Sequence, residues 1–326
     1  MSSTTRPEKL STPSGQPGSP LISSRPRYGE KVALALLWLC AAVSVVTTVG
    51  IIVVLFTEAI ALFNIPGVSV VEFFTDTQWR PFTDPESDLF RLGVLPLLNS
   101  TMMITALALA VAVPLGLGTA IYLSEYARPR ARKTIKPILE LLAGVPTVVL
   151  GYFALTFMTP LLRRFLGDEF VPIFNATSAG IVVGILIVPT IASISEDAMS
   201  AVPRTLRDGG YGLGATRRHV ALKIVFPAAL SGITAAIILG FGRAVGETLI
   251  VTLAAGNLPP SDLPAVNPFQ QVQTMTAYIT QAVGGESPRG SVTFQSIFAI
   301  GALLFVITFA MNLVASRIVR RFREEY

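Results

Sequence analysis

SEDAMSAVPRTLRDGGYGLGATRRHVALKIVFPAALSGITAAIILGFGRAVGETLIVTLAAG (195–256) decides the architecture, because its two parts demand different solvents. Residues 195–223 carry Glu196, Asp197, Arg204, Arg207, Asp208, Arg217, Arg218 and His219. Among them Ala198, Val202, Leu206, Leu213 and Val220 give the pattern of a short amphipathic helix lying on a membrane face. Residues 224–256 are almost wholly apolar and exceed the about 20 residues that a helix needs to cross hydrocarbon. Only Arg243 and Glu247 interrupt that run with charge.

Runs of the same kind occur at 32–57, 94–123, 141–162, 176–194 and 291–316, so the spacing predicts six spans. Composition agrees. Apolar residues make up 52% of the chain and charged ones 14%, against about 25% charged in soluble domains. The expected fold class is an all-α membrane protein with six transmembrane helices. Pro114, Pro146, Pro189 and Pro227 lie in or beside the runs, which predicts kinked and closely packed helices.

Charge sets the orientation. Segments 1–31, 124–140, 195–223 and 317–326 hold 19 of the 25 Lys and Arg, against five in 58–93, 163–175 and 257–290. The positive-inside bias places both termini in the cytoplasm, with the 163–175 loop the least decisive because of Arg163 and Arg164. The expected organisation is a disordered cytoplasmic tail (1–31), a first transmembrane helix (32–63) and an external loop (64–93). A five-helix core (94–316) with a cytoplasmic loop at 195–223 follows, then a cytoplasmic C-terminus (317–326). The Ser- and Pro-rich tail does not read as a signal peptide, since the first apolar run is too long and no small-residue cleavage site follows it. Phe73, Phe74, Trp79, Phe82 and Phe90 in the external loop fit an interfacial belt or a docking surface for a soluble partner. Cys40, the only cysteine, lies in an apolar run and reads as a packing residue.

Several chemistries find no support. Gly210, Gly212 and Ala215 have dinucleotide-turn spacing but no preceding strand, and Gly209 with Gly214 has P-loop spacing with Ala215 where Lys is required. Without a Walker motif, any ATP must be bound by another subunit. The one histidine, His219, sits in a polar loop, and no zinc-protease or serine-hydrolase motif occurs. Neither a cofactor nor a metal is expected.

The loop has a longer pattern. Asp208, Gly209 and Gly210, then Gly214, then Ile224, Phe226 and Pro227 stand in register with the Glu-Ala-Ala loop of permeases in binding-protein-dependent ABC importers, the MetI-like family. The start departs from the family, with Asp for Glu and two glycines for two alanines, each Gly costing a helix about 1 kcal/mol. PLGLGTAIYLSEYA (114–127), ELLAGVPTVVLGYFAL (140–155) and GRAVGETLIVTLAAG (242–256) resemble the phosphate-specific permeases. Trp79-Arg80-Pro81 and the PLLNST run at 96–101 resemble the PstC type rather than PstA. The resemblance implies a type I importer permease, with the loop docking on an ATPase. Its partners would be a PstA-type permease, two PstB-type ATPases and a PstS-type phosphate-binding protein.

Arg243 and Glu247 stand four apart, which in a continuous helix puts both on one face within pairing reach. An Arg at a helix centre costs about 2.5–3.5 kcal/mol on insertion scales, so it needs a compensating role. One role is an ion pair locking the helix to a neighbour. The other is an anion pathway, in which the guanidinium fork matches phosphate oxygens and Glu247 competes to keep binding weak. The resemblance favours the second, since phosphate permeases carry this pair in the same context. A permease for sulfate, molybdate or a sugar remains open, as does a channel or secondary transporter.

Overall fold

The computed structural model describes residues 28–83, 87–261, 263–285 and 287–321. The expected disorder of the tail falls almost wholly outside them. The chain divides into two compact units, 1–51 and 52–326, and each is taken by itself.

Helix α1 (Tyr28–Leu62) begins in the first unit. Its apolar side chains there are exposed, as a helix meeting lipid requires. Cys40 is among the exposed residues, so it does not pack as its apolar setting suggested.

In the second unit, α2 (Val70–Thr75) and a two-stranded hairpin, β1 (Trp79–Arg80) with β2 (Arg91–Leu92), precede α3 (Leu95–Ile121). A π-helical turn (Tyr122–Tyr126) ends α3 and leads to the amphipathic α4 (Pro129–Ala143). The next span is α5 (Thr147–Phe153), a π-turn (Ala154–Met158) and α6 (Thr159–Leu166). It starts later than the expected residue 141, because the Pro146 ring forces extended backbone before the first turn.

Helix α7 (Ala176–Ser200) is the central element, with Val182, Val183, Leu186, Ile187 and Ile191 fully buried. Asn175 caps it, its side-chain oxygen accepting from Ser178 N at 2.7 Å. Close packing runs through glycine. A Cβ on Gly184 would stand 2.7 Å from the Ala108 carbonyl oxygen of α3. Small residues of this kind let membrane helices approach. Pro114 and Pro189 lie inside unbroken helices.

After α7 come α8 (Arg204–Gly212), the single turn α9 (Arg217–His219), a π-turn (Val220–Val225) and the short α10 (Phe226–Ala228). The expected fifth span at 224–256 is not one helix. The chain bends by 73° between Ala228 and α11 (Leu230–Val245), breaks at 246–248, and resumes as α12 (Leu249–Ala254). Pro227 supplies one reason, since it donates no N–H to the turn before it. Helices α13 (Met275–Gly284) and α14 (Val292–Arg321) complete the chain. Among the described residues, five helices are long and apolar enough to span a membrane, or six if the bent pair counts as one.

The aromatic loop is not simply a belt. Phe73 and Trp79 are buried, and the Trp79 ring meets Tyr278 of α13 edge-on at 4.8 Å. Phe74 and Phe82 stay exposed, so only part of the loop offers aromatic surface.

Candidate functional site

Charged side chains meet the bundle at three places that bear on function. The first is the break after α11. Arg243 sits in the last turn of α11, where the C-terminal end of the helix dipole favours a cation. Glu247 lies just ahead of α12, and its Oε1 accepts from Ile250 N at 3.3 Å. That places a carboxylate at a helix start, again the sign the dipole favours. The two do not form the ion pair that i, i+4 spacing suggested, because the helix ends between them. Arg243 Nη1 instead donates to Thr190 Oγ1 on α7 at 3.0 Å. Glu247 is 9% exposed and Arg243 half-buried. The freed backbone is satisfied from a distance, Thr276 of α13 donating its hydroxyl to the Glu247 carbonyl at 2.9 Å.

The second place is α8. Gly210 and Ile224, separated in the motif, come together: a Cβ on Gly210 would stand 2.6 Å from Ile224 Cδ1. Gly214 has φ +78°, which only glycine adopts freely, and its Cβ direction is open. Asp208, Gly209 and Pro227 are exposed, and Phe226 is half-buried. The α8 surface ends in Tyr211 and the 91% exposed Leu213. Helix α8 forms despite its glycines because Arg207 anchors it. Arg207 Nη2 donates to Glu125 Oε1 at 3.0 Å and to the Met199 carbonyl at 2.8 Å, while Nη1 donates to the Val202 carbonyl at 2.5 Å. One guanidinium thus joins α8, the π-turn that ends α3, the Met199 carbonyl in the last turn of α7 and the Val202 carbonyl just beyond it. The Met199 carbonyl also accepts from Val202 N at 3.2 Å, so Arg207 reinforces the turn that ends α7.

The third place is the α4–α7 contact. Glu196 is fully buried and takes Arg132 on Oε1 and Lys136 Nζ on Oε2, the latter at 3.0 Å. Lys136 also donates to Asp197 at 2.8 Å, and Ser200 Oγ donates to Glu196 at 2.9 Å. The Lys136 amine is raised above the lysine value of 10.5, first by the Asp197 bond and then by Glu196. Arg207, Glu196 and Asp197 were visible as loop charges, but their partners lie on other helices, and only the tertiary contacts give them roles.

Residues 112–324 match the family described as "Binding-protein-dependent transport system inner membrane component". A Bacillus subtilis protein described as the probable ABC transporter permease protein YqgH is 36% identical, covering 90% of this chain and 93% of its own length. The phosphate transport system permease protein PstC of Mesorhizobium japonicum is 31% identical, over 76% of this chain and 78% of its own length. Among solved structures, a bacterial ABC transporter that imports the acidic polysaccharide alginate superposes with TM-score 0.60 at 17% identity, covering 88% of this chain and 96% of the other. The methionine transporter MetNI, inward facing, gives TM-score 0.51 at 19% identity, over 71% and 95%. These two establish a shared fold. The chain is an integral membrane permease of the binding-protein-dependent ABC importer family.

Proposed function

We propose that this chain forms half of the pathway of an ATP-driven phosphate importer, and that Arg243 carries the anion step. The observation behind this is a guanidinium held inside the bundle by one hydroxyl, with no carboxylate paired to it among the described residues. An Arg left with free donors within the bundle calls for an anion, and its planar fork suits phosphate oxygens. Glu247, on the other side of the break, is an acceptor that a protonated phosphate can satisfy and bare sulfate cannot. Similarity to PstC proteins supports the same substrate.

The exposed end of α8 serves as the coupling surface. Leu213 and Tyr211 offer apolar contact, and Gly214 holds the turn that aims them. Motion imposed there passes through Arg207 to α3 and α7. ATP hydrolysis belongs to a pair of PstB-type subunits, with a PstA-type permease beside this chain and a PstS-type binding protein outside. In this orientation both termini and α8 face the cytoplasm.

The test is reconstitution. The complete complex in proteoliposomes should import phosphate only with ATP and binding protein, and native mass measurement should show one copy of this chain per complex. ATP-driven import of sulfate or a sugar in place of phosphate would replace the substrate. A functional homodimer of this chain would overturn the assembly.

A further inference from the structure

Below Thr190, the residue that holds Arg243, a cavity of about 210 Å³ opens between α4 and α7. Thr190 and Ser193 line its upper part, and Lys136 and Glu196 lie at its other end. A second cavity of about 530 Å³ shares Lys136 and Glu140 with the first, and adds Arg132 and Lys133. Hydroxyls near Arg243 therefore lead towards three cations at the basic end of the bundle. Two of those cations, Arg132 and Lys136, are occupied by the buried Glu196.

We infer that Arg132 and Lys136 form a second oxyanion site on the release side of the pathway, closed here by Glu196. This inference rests on the phosphate reading and deepens it. A carboxylate and a phosphate present the same kind of oxygen to a cation, so an arriving anion competes with Glu196 rather than meeting an empty pocket. The competition keeps binding weak, which release requires. Arg132 and Lys136 are partly exposed, at 42% and 31% of their side chains, so both can reach an anion from the cavity side, while the buried Glu196 keeps Ser200 Oγ as a donor at 2.9 Å. Glu140 on the cavity wall adds repulsion that keeps the anion moving outward.

The experiment uses the complete complex in detergent without binding protein, and reads equilibrium binding of radiolabelled inorganic phosphate. Glu196→Gln frees Arg132 and leaves Lys136 only its Asp197 partner, and should tighten binding about tenfold, the scale of one charge-assisted hydrogen bond. Lys136→Met should weaken binding by about the same factor. A plain tie between α4 and α7 predicts one sign for both, since each substitution breaks the same ion pair. Equal signs, or two unchanged constants, overturn the site. Lys133→Met gives an independent arm, because Lys133 lines the outer cavity yet makes no ion pair among the described residues. The site predicts weaker binding for it, and a tie predicts none. Normal wild-type phosphate uptake beside equal signs retires the release site alone. A wild-type complex that neither binds nor imports phosphate retires the release site and the phosphate reading together.

Discussion

Two of the Arg–Glu combinations in this bundle are built oppositely. Arg207 and Glu125 come from elements far apart in sequence and meet, with both side chains largely buried. Arg243 and Glu247 are neighbours in sequence and do not pair, each held by a separate helix end. The first arrangement satisfies both charges and holds elements together. The second leaves donors free at a break in the membrane. Proximity along the chain therefore says little about which charges are spent on structure.

Breaking the first pair should have the largest effect. Arg207→Met leaves Glu125 buried and unpaired and frees the ends of α7, a loss of about 3 kcal/mol. The expected outcome is a clearly lowered melting temperature of the assembled complex and loss of binding-protein-stimulated ATP hydrolysis. Next in size is Gly184→Leu, which pushes α7 off α3 and should destabilise by about 2 kcal/mol without touching either pair. Gly214→Ala should cost about 1 kcal/mol through its positive φ, lowering stimulated ATP hydrolysis more than abundance. Gly214→Arg carries the same strain, and its Cβ meets open space in this chain, so an effect well beyond that of Gly214→Ala points to the docking partner.

Double-mutant cycles on thermal stability sharpen the comparison. Arg207→Met with Glu125→Gln should show a coupling of about 1.5 kcal/mol or more, whereas Arg243→Met with Glu247→Gln should stay within about 0.5 kcal/mol. Similar values for the two cycles would erase the distinction. The smallest effect concerns Lys136. Its raised pKa means the tie to Asp197 and Glu196 is fully present below 10.5 and is lost only as pH climbs through the higher folded value. The melting difference between wild type and Lys136→Met should therefore stay flat between about pH 6 and 9. A slope across that window would mean another group titrates with it.

The spans and their order were legible in the sequence because transfer from water to lipid is a sum over neighbouring residues. Ends and breaks were less so. The break after Val245 depends on Glu247 reaching Ile250 N and on Thr276 arriving from α13, and no local pattern announces Thr276. The motif positions Gly210 and Ile224 were visible as a register, and the structure packs them together, but Arg207 had no visible partner until Glu125 came alongside. Phe73 and Trp79 read as surface aromatics because Tyr278, which covers Trp79, lies on a distant helix.

The most direct measurement is phosphate and sulfate flux through the reconstituted complex carrying Arg243→Lys or Glu247→Gln. Arg243→Lys keeps the charge but loses the fork, so phosphate flux should fall about tenfold or more at unchanged melting temperature. Glu247→Gln should let sulfate compete, because its amide can donate where the carboxylate could only repel. Phosphate flux at the wild-type rate with unchanged selectivity in both variants would contradict an anion step at Arg243, and leave the break as a purely structural feature.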